Sequence, residues 1–354
     1  MEPKERVITA LNFEKADRVP RYEIFLPDFV SGFYEKMSHA KKTSIYDYYD
    51  KIDIGTVLAD QNGPFFLEKR IVKNDGDAFY ERDSWGRLLL KKNDAFFEKE
   101  LEVVIDEKKK VDAAAFESPW LEERYAELKD NSEKVKARFA PVSGVLGLYM
   151  GCSRLRGQEQ FLIDMAEDPL FCRYLVEKLM HFSKEVGLKA VEVTDTRDTA
   201  LWVYDEFSSR LGPLFSPKTF EELFLPVYKE MIGYWKTNGI KNIILHCDGN
   251  SLPLLDMVIE AGFTGIQSLA PTAGMWLPDV KKKYGRKLVL IGGMCNMETL
   301  ANGTFEDIRK EAEAVVEVAR DGGIIVGTHS IDVDIPVENY DYYYSVMNML
   351  DETW

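Results

Sequence analysis

The sequence predicts an α/β protein: a single (β/α)8 TIM barrel with an N-terminal extension and a small antiparallel β insert. Three observations predict it. Short apolar strands alternate with longer amphipathic helices through the second half of the 354 residues, and repeated βα units imply parallel strands. Polar residues gather at the C-terminal end of strand after strand, as YDE (204–206), HCDGN (246–250), GGMCN (292–296) and THS (328–330); barrel enzymes collect their chemistry on that rim. Neither GxGxxG nor GxxxxGK[ST] occurs, which removes the phosphate-cradling loop that would favour an open doubly wound sheet.

The elements follow in order. Val7, Ile8, Leu11 and Phe13 fall around a helical period, and DRVPRYEIF (17–25) reads as a turn feeding a strand. From about 65 to 105, short β-rich runs separated by charged turns predict the antiparallel insert. Residues 112 to 130 read as helix, KARFAPVSG (136–144) as strand and loop, and 158 to 193 as a long helical stretch broken at Asp168-Pro169. Five βα units then follow: ALWVYDE with a helix from 217, NIILHCD with one from 252, GIQSLA with WLPDVKKKY, LVLIGG with a helix from about 305, and GIIVGT with one from 337. Ser216-Pro217 supplies a capping hydroxyl and a proline at the first helical position. With no low-complexity segment or linker, residues 1–354 read as one domain.

Composition narrows the function. The chain is 45% hydrophobic and 30% charged, as expected of a globular protein. Its net charge of −15 argues against nucleic acid or an anionic membrane surface as the main partner, since both need a basic face. The N-terminus lacks an apolar signal core and no run is long enough to cross a bilayer, so a cytoplasmic location is expected. Cys152, Cys172, Cys247 and Cys295 lack CxxC spacing and read as reduced thiols.

The chemistry centres on KNIILHCDGNS (241–251). Strand alternation gives His246 and Asp248 one direction and Cys247 the other. Cys295, His329, Glu206 and Asp205 end neighbouring strands and should return to the same rim. Imidazole, thiolate and carboxylate are the ligand set of zinc, and a catalytic site needs three of them with one position open. The plainer alternatives are a strand-capping histidine, a turn-forming Asp248 and a buried inert Cys295. Tyr22, Phe25, Phe29 and Tyr204 are candidates to line a pocket for an apolar or aromatic substrate, with core packing as the alternative.

In order along the chain, RVITALNFEKADRVPRYE, DEFSSRLGPLFSPKTFEELFLPVYKEMI, HCDGNSLPLLDMVIEAGFTGIQSLAP, LVLIGGMCNMETLANGTFEDIRKE and THSIDVDIPVENY resemble the uroporphyrinogen decarboxylase-like superfamily over nearly the whole chain. The resemblance implies a (β/α)8 barrel and either porphyrinogen decarboxylation or cobalamin-dependent methyl transfer. Decarboxylases of the superfamily carry an arginine-rich MRQAGR segment after the first strand; here RYEIFLPDFVSGFYEK stands there, with Arg21 the only basic residue before Lys36. The methyltransferase branch is the better match. Its His-x-Cys zinc pattern with a distal Cys maps to His246, Asp248 and the neighbourhood of His329. A second zinc pattern, of two glutamates and a histidine, maps to Glu206, Glu221 and His246, with fourteen residues between the glutamates and a poorly matching last gap.

The expectation is therefore a substrate:corrinoid-protein methyltransferase that demethylates a small methylated compound, a methoxylated aromatic first, and passes the methyl to cobalt(I) of a separate corrinoid protein. Zinc is expected on Glu206, His246, Cys295 and His329. Asp205 and Asp248 would orient a ligand or deliver a proton; Tyr22, Glu23, Phe25, Tyr204 and Arg210 would contact substrate; a homodimer is one assembly the fold admits. Transfer from methyl-corrinoid to a thiol or pterin, uroporphyrinogen decarboxylation and a non-catalytic binding barrel are the alternatives.

Overall fold

The structure is a computed structural model that describes residues 1–36, 43–92 and 98–354. Its strands are β1 (Arg21–Tyr22), β2 (Ile54–Val57), β3 (Arg70–Asn74), β4 (Ala78–Arg82), β5 (Leu88–Lys92), β6 (Glu98–Glu102), β7 (Ala140–Leu146), β8 (Leu201–Tyr204), β9 (Ser208–Ser209), β10 (Gly212–Pro213), β11 (Ile243–His246), β12 (Gly265–Leu269), β13 (Val289–Gly293) and β14 (Ile324–Gly327). Eight of them form one sheet in the order β1-β14-β13-β12-β11-β8-β7-β2, with every pairing parallel. The two ends of that sheet meet: the Asp53 N–H, just before β2, donates to the Arg21 carbonyl of β1 at 2.9 Å. The barrel expected from the sequence is thus formed.

Alternation sorts the strand residues into two cores. Inside the barrel lie Tyr22, Ile54, Val142, Trp202, Ile244, Ile291 and Ile325, and the apolar face of the N-terminal helix Pro3–Leu11 plugs its lower end with Val7, Ala10 and Leu11. Outside, Val203, Leu245, Cys247, Ile266, Leu290 and Val326 pack against the surrounding helices. Below the plug, buried Asp53 binds Arg6 at 2.6 Å and Arg18 at 2.8 Å and accepts the Arg21 N–H at 2.9 Å. One carboxylate thereby ties the extension, β1 and β2 together.

The insert is the four-stranded antiparallel sheet β3-β4-β5-β6, as the charged turns predicted. The interruption at Asp168-Pro169 divides helices Gln158–Glu167 and Pro169–Thr194, with the Asp168 side chain capping the second. Three features differ from the reading of the sequence. The helix expected over 112–130 begins only at Ala126 and runs to Lys136, because Pro119 and two short turns precede it. Strand β2 has no counterpart in the sequence reading, since four residues, IGTV, carry too little pattern. The helix Leu148–Arg156 occupies a stretch to which the sequence reading assigns no element, because Gly147 and Gly151 mask its periodicity.

Candidate active site at the C-terminal rim

His246 closes β11, two residues after inward Ile244, so alternation turns it toward the barrel axis. It pairs in register with Tyr204 of β8 and Gln267 of β12. Those neighbours build its surroundings: the Tyr204 ring lies 4.8 Å from the imidazole, and Nδ1 is held by the Gln267 side-chain oxygen. Nε2 faces Glu206 Oε1 at 2.9 Å. The other Glu206 oxygen accepts the Asp248 N–H at 2.6 Å.

A second acid and imidazole pair stands beside the first. Asp248 Oδ2 lies 3.1 Å from His329 Nε2, and Ser268 donates to Asp248 Oδ1. The two imidazoles stack with centroids 5.3 Å apart, so a charge on one opposes a charge on the other. Burial opposes protonation of His246, but the Glu206 and Gln267 hydrogen bonds and the Glu206 and Asp248 charges outweigh it and raise its pKa. For His329 burial prevails over the Asp248 attraction, aided by repulsion from His246, and lowers it. Burial likewise opposes ionisation of Glu206, yet the His246 hydrogen bond and charge hold its carboxyl below the usual range. The surroundings thus favour the charged form of His246 against the Glu206 carboxylate, and the neutral form of His329 beside it.

The remaining expected residues have other places. Asp205 points out of the barrel and is fully buried: its oxygens accept the Met150 N–H at 2.7 Å, the Tyr149 N–H at 3.2 Å and the Tyr228 hydroxyl. It caps the helix Leu148–Arg156, and its expected contact with a ligand is corrected to a positioning one. Burial pushes its pKa up to about 7. Glu23 also faces outward, where it accepts the Thr328 N–H and hydroxyl and fastens β1 to β14. Phe25 and Phe29 stack with centroids 5.7 Å apart among Tyr49 and Tyr340, which is core packing. Tyr22 is 1% exposed, edge-on to Trp202 inside the barrel. Of the expected contact residues, Tyr204 and Arg210 reach the site; Arg210 shares a cavity of about 180 Å³ with Asp248 and His329. Glu221 is exposed, and Cys247 is buried outward with its thiol pushed up to about 12 by burial.

Cys295 fails to join His246 for a backbone reason. Continued alternation from Ile291 would bring residue 295 inward, but Gly292 and Gly293 adopt φ of 118° and 104°, left-handed values that glycine alone takes easily. They swing the chain outward, and the Cys295 sulfur instead accepts the Glu298 N–H at 3.4 Å. Among the described residues no three His, Cys, Asp or Glu side chains converge as metal ligands. The donors are right in kind, but His246 and Glu206 face each other while His329 is engaged by Asp248. The arrangement seen does not make the expected three-ligand zinc site.

Sequence reasoning missed Gln267 and Ser268, which fix His246 and Asp248; their signal was the register of β12 on β11, visible only once pairing is known. A family model described as Uroporphyrinogen decarboxylase (URO-D) matches residues 132–348. The chain belongs to the uroporphyrinogen decarboxylase family. A methyltransferase from Methanosarcina mazei has a similar fold, with a TM-score of 0.69 and 18% identity over 99% of each chain. None of the curated proteins compared matches this family member. The matched span of the family begins before β7 and takes in every expected site residue except Tyr22, Glu23, Phe25 and Phe29.

Proposed function

We propose that this member of the uroporphyrinogen decarboxylase family is a methyltransferase, which demethylates a small methylated compound and passes the methyl to cobalt(I) on a separate corrinoid protein. The observation that carries the reading is the His246 imidazole at the barrel mouth, fixed by Gln267 and paired with Glu206. Methyl ethers resist demethylation because the departing oxygen takes up negative charge. A proton held where that charge develops removes the difficulty. A methoxylated donor takes over the Nε2 hydrogen bond from Glu206, and Nε2 hands its proton to the leaving oxygen; Gln267 keeps the ring in place through Nδ1, the Glu206 charge favours its protonated form, and Tyr204 walls the site beneath it. Cobalt(I) on the partner supplies the nucleophile that takes the methyl. His329, held by Asp248, completes the wall opposite.

Two further features favour methyl transfer over decarboxylation of a polycarboxylate. Arg21 is spent on the C-terminal helix, donating to Asp351 at 2.5 Å, Asn348 at 2.9 Å and the Met347 carbonyl at 2.8 Å, so it offers no charge to a substrate. The rim exposes Leu211 (94%) and Met297 (55%) near the cavity, apolar surface of the kind a protein partner covers. The reading is tested by mixing the protein with a reduced corrinoid protein and a panel of methoxyarenes, methylamines and methyl thiols. Donor-dependent loss of cobalt(I) absorbance is expected with the wild type and not with His246→Ala. Absence of transfer from every donor and in the reverse direction overturns it.

A further inference from the structure

A cavity of about 320 Å³ opens between the β insert and the barrel mouth, lined by Arg87, Glu98, Glu100, Tyr149, Arg154 and Glu206 among others. Its size suits a small organic molecule, and Glu206 belongs both to it and to the His246 pair. The charged groups around it fall into pairs and clusters. Arg87 binds Asp83 at 2.7 Å, Glu98 at 3.4 Å and Glu100 at 3.3 Å. Glu206 is taken by His246. Arg154 is left over: its guanidinium stacks at 5.7 Å from the Trp85 ring centre, and among the described residues it forms no ion pair or hydrogen bond. It is partly buried; burial and the nearby Arg87 lower its pKa, outweighing the more distant attraction of Asp83, Glu98 and Asp60, none of which hydrogen-bonds it.

A desolvated guanidinium with no hydrogen-bonded partner is costly, and the structure keeps it against an aromatic ring with its fork of donors unspent. We propose that this cavity seats the methylated substrate and that Arg154 recognises a carboxylate on it, so that the substrate class is a methylated monocarboxylic acid. The carboxylate takes the Arg154 fork, and the methyl-bearing end extends toward Glu206 and His246. Tyr149 supplies an aromatic wall between them. Asp83, Glu98 and Glu100 share the one charge of Arg87, so the wall keeps a negative surplus that confines a substrate carboxylate to Arg154 and disfavours a substrate with several. The insert thereby takes part in recognition, since Trp85 and Arg87 belong to it and set the position and the isolation of Arg154.

This inference rests on the methyl-donor reading, so the experiment uses binding alone, on the full chain with no corrinoid protein present. Titration calorimetry would compare 4-hydroxy-3-methoxybenzoate with 4-hydroxy-3-methoxybenzamide, and methoxyacetate with methoxyacetamide. At least one acid is expected to bind, with its neutral amide about a hundredfold weaker. Arg154→Gln should abolish the preference and Arg154→Lys restore part of it, because lysine keeps the charge and loses the fork. Equal binding of acid and amide, binding of neither acid, or an unchanged preference in a folded Arg154→Gln variant overturns the proposal. A preference for the acid without methyl transfer to cobalt would leave this inference standing and remove the proposed function instead.

Discussion

His246 and Cys247 are chain neighbours with opposite surroundings, and each gives a prediction. The raised His246 pKa means that its ion pair with Glu206 stabilises the fold fully below the ordinary imidazole range, and that this contribution is lost as pH rises through the raised value. An NMR titration should show His246 Nε2 losing its proton at higher pH than free histidine, while His329 loses its own at lower pH. Glu206→Gln should move His246 downward; an unmoved titration would separate the carboxylate from the imidazole. His246→Ala should remove methyl transfer, whereas Cys247→Ala should leave it nearly intact and cost about 1 to 2 kcal/mol of stability through lost packing. Equal losses of activity would contradict the alternation that turns one inward and the other outward. Glu23 behaves in the opposite sense from an ordinary surface carboxylate. Burial pushes it up to about 8, so the folded chain keeps a proton that the unfolded chain releases, and stability falls as pH rises between about 4.5 and 8. Glu23→Gln, which mimics the protonated form, should flatten that part of the stability profile measured by denaturant titration. A steeper profile would be contrary to a buried neutral acid.

Elements position these residues more than their own sequence does. Asp205 looks like a rim acid, yet it spends its oxygens on the first turn of the helix Leu148–Arg156, the helix that carries Tyr149 and Arg154. Asp205→Ala should cost about 1 to 3 kcal/mol and weaken substrate binding through misplaced helix residues, read as a rise in KM larger than the fall in kcat. A pure kcat defect would show instead that Asp205 acts on the chemistry. The turn after β11 is similarly constrained. Gly249 has φ of 86°, and a Cβ there would come within 2.4 Å of the Ser209 carbonyl oxygen. Gly249→Ala should therefore push the β9-β10 hairpin off Asp248, lowering both stability and activity. The glycine, conspicuous in HCDGN, was legible as a turn; the hairpin that presses on it was not, because two-residue strands carry no pattern.

At the scale of the whole molecule, closure of the barrel depends on one buried carboxylate. Asp53 gathers Arg6, Arg18 and the Arg21 N–H beneath the N-terminal plug, and removing it leaves the Arg18 guanidinium without its anion and Arg6 with Asp17 alone. Asp53→Ala should cost about 3 to 5 kcal/mol, visible as a lower midpoint in thermal unfolding with the rim chemistry retained below it. The sequence by itself determined the parallel βα order, the insert, the rim on which polar residues collect, and the inward direction of His246, because these follow from local periodicity and strand alternation. Only the tertiary structure decided which rim residues meet. Cys295 was lost to two left-handed glycines that break the alternation, Asp205 and Glu23 turned outward to bind other elements, and Gln267 entered through strand register. Arg154, silent in the sequence, gained its meaning from an insert far away in the chain, whose carboxylates cluster on Arg87 and leave the Arg154 donors without a hydrogen-bonded partner. Contacts of that kind depend on how distant segments pack, and no short stretch of sequence encodes them.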